Sequence, residues 1–203
     1  MKQEILEIKE KALKNHVPII MDDTLEAIRD VLLKNNPKRI LEIGTATGYS
    51  ALCFFDILVS DGVDDVNSSD IQIDTIELNE ERATEAKENI QRVGLENNIR
   101  VIVGDAVEVL STVNEKYDIV FIDASKGKYP VFLEHAVRLS KKGSIIIADN
   151  VLYKGYVMSD YNLHKQRTAV RNLREFIKEA TTNDILETEI LEVGDGLTIT
   201  KVK

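Results

Sequence analysis

The 203-residue chain reads as a doubly wound α/β domain, and three observations predict it. Short apolar runs alternate with amphipathic helical patterns. The runs are continuous rather than alternating, which marks strands buried on both faces of a parallel sheet. The last two strands differ, being joined by a short glycine turn that suits an antiparallel hairpin.

Taken in order, Ile5, Leu6, Ile8, Ala12 and Leu13 suit a first amphipathic helix, interrupted at Pro18. Residues 21–35 read as a second, with Leu25, Ile28, Val31 and Leu32 on one face and Asn35-Asn36-Pro37 as its stop. Strands are expected at 39–43, 71–76, 99–103, 119–122 and 144–148. The helices between and after them fall at 49–58, 79–93, 105–113, 129–140 and 165–180. Strands at 185–193 and 197–202 then flank Gly194-Asp195-Gly196. Residues 60–70 hold four aspartates and no basic residue, and read as a solvated, inserted loop.

The composition is 43% hydrophobic and 30% charged, enough apolar mass for one compact domain over 1–203. No apolar run approaches the roughly 18–20 residues of a membrane helix, so no membrane partner is expected. The charged start lacks a signal-peptide core. The single cysteine, Cys53, excludes an intramolecular disulfide framework and fits a reducing, cytoplasmic setting. A net charge of −9 argues against a generally basic nucleic-acid binder, though not against a local basic face.

The first strand runs into LEIGTATGYSA, where Gly44 and Gly48 bracket a strand-to-helix turn. Glycine lets the backbone approach a ligand, and the N–H groups of the next helix favour an anion. The spacing is G-x-x-x-G. The dinucleotide fingerprint G-x-G-x-x-G is absent, which disfavours a nicotinamide dehydrogenase. Glu77 ends the second strand, where a carboxylate accepts from both hydroxyls of an adenosine ribose. Asp105 ends the third, as an adenine-side contact, a helix cap, or both.

Asp123 ends the fourth strand, and Asp149 and Asn150 follow the fifth. Two carboxylates and an amide oxygen at one sheet edge are hard ligands suited to Mg²⁺, Mn²⁺ or Ca²⁺. Lys126, three residues on from Asp123, is a candidate base. Tyr153 and Lys154 are candidate substrate-side residues. Residues 161–180 carry Lys165, Arg167, Arg171, Arg174 and Lys178 against Glu175 and Glu179. Arg167, Arg171, Arg174 and Lys178 step by four, three and four onto one helical face, opposite Val170, Leu173 and Ile177. Such a stripe suits phosphate contacts, whether of RNA or of a CoA ester. Cys53 reads as a buried, inert thiol. His16, His135 and His164 are too scattered for a zinc site.

LEIGTATGYSA, IELN, GDA, YDIVFIDASKGKY, ADNVLYKG and VGDGLTITK stand in the order of the cation-dependent S-adenosylmethionine O-methyltransferases of the catechol and caffeoyl-CoA type, which the chain resembles over residues 15–203. The resemblance implies a Rossmann-like class I methyltransferase fold, a seven-stranded, mostly parallel sheet with a C-terminal antiparallel hairpin, and a homodimer. By position it assigns Ile20, Glu42, Gly44, Ser50, Glu77, Asp105 and Asp123 to the cofactor. Ser50 would meet the methionine carboxylate, and the backbone at Ile20 would close over the methionine part. Asp123, Asp149 and Asn150 would bind the metal, with Lys126 as base. NHVPII, ADNVLYKGYV and the arginine-bearing segment are most similar to the bacterial branch that methylates 5-hydroxyuridine at the tRNA wobble position. A tRNA anticodon loop is thus the expected partner. Small catechols or hydroxycinnamoyl-CoA esters are the alternative acceptors, and a non-catalytic RNA-binding module is the alternative class. The insertion at 60–70 is not typical of the branch.

Overall fold

The computed structural model describes residues 1–61, 68–159 and 166–203. The expectations for His164 and Lys165, and for residues 62–67 of the acidic insertion, lie outside the described residues. The chain divides into two compact units, Met1–Val109 and Leu110–Lys203. No helix among the described residues is long and apolar enough to cross a membrane.

The first unit holds α1 (Lys2–Lys14), α2 (Asp22–Asn35), β1 (Arg39–Ile43), α3 (Tyr49–Ser60), β2 (Gln72–Glu77), α4 (Glu80–Val93) and β3 (Ile99–Val103); α5 (Ala106–Thr112) follows β3. Its strands run parallel in the order β3-β2-β1, with Ile43 beside Ile76 and Glu77 beside Val103. Their apolar residues Ile40, Leu41, Ile43, Ile73 and Ile76 are all buried, and so are the polar Glu42, Asp74 and Thr75 among them. α3 is apolar nearly all round, from Ala51 to Leu58, because α1 and α2 cover it. Asn36 stops α2 in a left-handed conformation, and its N–H returns to the Leu32 carbonyl.

One expectation for α1 is corrected. Ile5, Ile8 and Ala12 are buried, whereas Leu6 and Leu13 stand about half exposed. Leu6 and Leu13 are a seven-residue pair, but each lies one residue beyond Ile5 and Ala12. A single residue is about 100° round the helix, which carries both off the buried stripe.

The second unit holds β4 (Tyr117–Ile122), α6 (Tyr129–Leu139), β5 (Ser140–Ala148), α7 (Arg167–Thr182), β6 (Leu186–Leu191) and β7 (Leu197–Val202). Its strand order is β4-β5-β7-β6: β4 and β5 are parallel, while β7 is antiparallel to both β5 and β6. β5 starts four residues earlier than its apolar run. Ser144 explains the polar lead-in, since its hydroxyl donates to the Tyr117 carbonyl and accepts from the Lys141 N–H. On α7 the buried face is Val170, Leu173, Phe176 and Ala180, with Ile177 only half-buried. Steps of three, three and four place Phe176, rather than Ile177, on the core side.

Candidate active site

In the first unit the turn after β1 is built on left-handed backbone at Gly44 (φ 106°), Ala46 (φ 47°) and Gly48 (φ 79°). Gly48 is the N-cap of α3 and offers no side chain to its first-turn N–H groups, which a ligand anion can therefore take. A Cβ at Gly48 would meet Ala86 of α4 at 3.4 Å, an ordinary contact, so the demand there is φ rather than space. Glu77 is clasped to this turn. One carboxylate oxygen accepts the Ala46 N–H at 2.8 Å and the other the Asn79 N–H at 2.9 Å. The Glu77 carboxylate is thereby oriented, with further lone pairs for a diol.

Glu42 lies beneath the turn and is fully buried. It accepts hydroxyl bonds from Ser50 and Thr75, and Thr75 shares a 2.6 Å bond with Thr45. Ser50 thus meets Glu42 in this structure. Asp105 caps α5: its Oδ1 accepts the Val107 N–H at 2.9 Å. Ile20 is buried in the extended segment between α1 and α2. Sequence reasoning missed Thr45, Thr75 and Asn89. The buried Asn89 amide donates to the Thr47 carbonyl at 2.9 Å and fastens the turn to α4. A polar residue on an otherwise apolar helix face was the available signal. Cys53 is buried, and burial pushes its thiol up to about 12.

In the second unit Asp123 and Asp149 leave adjacent parallel strands. Ile122 lies beside Ala148, and the Asp149 N–H donates to the Ile122 carbonyl at 3.0 Å. The expectation of one shared strand edge holds for these two. Burial, then the charge of Asp123, pushes the Asp149 carboxyl up to about 7. Burial also raises Asp123, against the pull of Lys126. Asn150 has left-handed φ (57°), donates its N–H to Asp149 Oδ1 at 2.7 Å, and accepts from Lys126 Nζ at 2.9 Å. The structure therefore gathers Asp149, Asn150 and Lys126 into one connected group.

Lys126 Nζ also lies 5.7 Å from the centre of the Tyr153 ring. Tyr153 and Lys154 are left-handed too, at φ 43° and 57°, and such strain gathers at functional loops. The hairpin turn holds this loop. The Val151 N–H donates to the Gly196 carbonyl, and those of Leu152 and Tyr153 to the Asp195 carbonyl. Of the cationic stripe, Arg167, Arg171, Arg174 and Lys178 are all exposed. Arg174 is occupied differently, donating to the carbonyls of Tyr156, Val157 and Ser159. His135 sits on α6 with Arg138 at 3.3 Å, and partial burial lowers its pKa.

The donor set is of the kind a hard divalent ion takes. Two carboxylates raised by burial, Asp149 also by the charge of Asp123, are the electrostatic situation that a cation relieves. Among the described residues, no group of three or more His, Cys, Asp or Glu side chains could hold an ion. The trio reaches three donors only through the Asn150 amide.

A glycine turn opening a helix, an acid at the next strand end, and an oxygen-rich edge after β4 and β5 define a class of nucleotide-cofactor α/β enzyme. Residues 2–203 match the family model described as O-methyltransferase, and the chain belongs to that family. It is 32% identical over 175 residues to the catechol O-methyltransferase of Niastella koreensis, covering 82% of this chain and 74% of that one. A Staphylococcus aureus crystal structure, described as a candidate caffeoyl-CoA O-methyltransferase, superposes with TM-score 0.86 at 37% identity, covering 98% of this chain and 92% of the other. A Bacillus cereus O-methyltransferase solved with SAH gives TM-score 0.83 at 26% identity, over 99% and 91% of the two chains. The fold class is that of a seven-stranded mixed sheet, mostly parallel, with an antiparallel C-terminal hairpin.

Proposed function

We propose that the chain is an S-adenosylmethionine-dependent O-methyltransferase that uses a divalent cation, Mg²⁺ or a similar hard ion. The observation that carries this reading is the Asp149-Asn150-Lys126 group at the paired ends of β4 and β5, with Asp123 directly after β4. In the first unit, the α3 N-terminus and Ser50 would take the methionine carboxylate, Glu77 the ribose and Asp105 the adenine end. The SAH-bound relative supports a cofactor of this kind. Asp123, Asp149 and Asn150 would hold the cation. When bound, the cation acidifies an acceptor hydroxyl and orients it. Lys126 Nζ takes the acceptor's proton, and Tyr153 and Lys154 border the acceptor.

For the acceptor we favour 5-hydroxyuridine at the tRNA wobble position, methylated to 5-methoxyuridine. Its O5 and neighbouring O4 offer one cation the same bite as a catechol, and a wobble base is unpaired, so it enters a pocket without melting a helix. Exposed Arg167 and Arg171 support an anionic partner. The second reading, a small catechol or hydroxycinnamoyl-CoA ester, is favoured by the activities named for the relatives. Incubation with labelled S-adenosylmethionine and either hypomodified tRNA or the phenolic compounds separates the two. The tRNA reading expects label in 5-methoxyuridine. Label only in the phenolics overturns it, and no cofactor binding at all would leave a non-catalytic RNA-binding module.

A further inference from the structure

We infer that Tyr129 is a positioning residue for the cation ligands, an inference that rests on the function proposed above. Tyr129 opens α6 and its side chain is fully buried. Its hydroxyl donates to the Asp149 carbonyl at 2.7 Å and lies 3.4 Å from the Ile122 carbonyl. Those carbonyls belong to the peptide groups joining Asp149 to Asn150 and Ile122 to Asp123. One hydroxyl thus reaches both strand ends from which the ligands spring. The same Ile122 carbonyl receives the Asp149 N–H, so three groups meet at the end of the β4–β5 ladder.

The hydroxyl acts where the backbone needs it. Immediately past the Asp149 carbonyl the chain turns into the left-handed conformation of Asn150, which a non-glycine residue adopts only when its surroundings hold it there. Orienting that peptide aims the Asn150 side chain and fixes the N–H that binds Asp149 Oδ1. The ring is itself held, edge-on to Phe176 at 5.5 Å and tilted against Phe132 at 6.4 Å. The hydroxyl therefore has a fixed origin on α6, independent of the strands it ties. Groups that orient metal ligands without touching the metal typically carry 10- to 100-fold in affinity.

The test is Mn²⁺ titration by electron paramagnetic resonance on the full chain, paired with calorimetric titration of S-adenosylmethionine. Tyr129→Phe removes only the hydroxyl. Phe176→Leu disturbs the ring's packing and keeps the hydroxyl. We expect Tyr129→Phe to weaken Mn²⁺ binding by about 10- to 100-fold with cofactor affinity unchanged, and Phe176→Leu to keep Mn²⁺ affinity near wild type. Equal Mn²⁺ affinity in Tyr129→Phe and wild type overturns the inference. So does joint loss of Mn²⁺ and cofactor binding, or failure of Tyr129→Phe to fold, since each assigns the hydroxyl to general packing. A wild-type chain that takes up no Mn²⁺, or takes it up equally after Asp149→Ala, instead refutes the cation reading itself.

Discussion

At Asp149 a buried carboxyl sits beside a second carboxylate, and its pKa of about 7 has a definite sign for stability. The folded value is raised above the ordinary one, so folding favours the protonated form. The stabilisation is full below the unfolded value, near 4, and is lost as pH rises through about 7. Cation-free wild type should therefore melt at progressively lower temperature between pH 5 and 8, whereas Asp149→Asn should show a flatter profile. Identical profiles would remove Asp149 as the titrating group. Cation affinity should run the other way, weakening below about pH 7 as protons compete. Asp149→Ala should abolish turnover while sparing cofactor affinity, because the proposed function gives Asp149 the cation and not the cofactor. Calorimetry beside a methyl-transfer assay checks both halves.

At the level of elements, the hairpin turn and α7 act on the loop after β5. Gly196 has φ +89°, and a Cβ there would come within 2.3 Å of Leu152 Cγ. Gly196→Ala should cost about 1–3 kcal/mol, read from urea unfolding, and should weaken cation binding by displacing the Asn150 loop. Wild-type stability in that variant would refute the clasp. Arg174 fastens residues 156–159, which leaves Arg167, Arg171 and Lys178 of the stripe, and the two arginines are the pair to test on anions. Charge reversal of both should flatten the log–log salt dependence of tRNA binding by roughly one to two; an unchanged slope removes the helix from the interface.

The parallel strands, the G-x-x-x-G turn, and the strand-end acids Glu77, Asp123 and Asp149 were legible in the sequence. Each is a local pattern: an apolar run, a glycine pair, an acid directly after a strand. What was not legible depends on register and on partners far along the chain. Arg174 carries the same spacing signal as Arg167 and Arg171, and only the return of residues 156–159 against α7 shows it bound to carbonyls. Nothing in the sequence singles out Tyr129, because a hydroxyl's carbonyl partner leaves no mark in composition. Leu6 and Leu13 misled because two stripes seven residues long ran side by side. Thr75 and Thr45 beneath the glycine turn meet only once β1 and β2 pair.

At the scale of the whole molecule, an excess of nine negative charges opposes a polyanionic partner, so tRNA recognition would depend on a local basic face. The family model takes in residues 2–203, both units together. The first unit supplies the glycine turn, Glu77 and Asp105, and the second supplies the oxygen trio and Lys126. The function proposed for the oxygen trio requires a divalent ion. The direct measurement is the initial rate of methyl transfer from labelled S-adenosylmethionine to a vicinal-dioxygen acceptor, with Mg²⁺, with excess chelator, and after Mg²⁺ is restored. We predict turnover that chelator abolishes and Mg²⁺ restores. An undiminished rate in chelator would rule out a cation requirement.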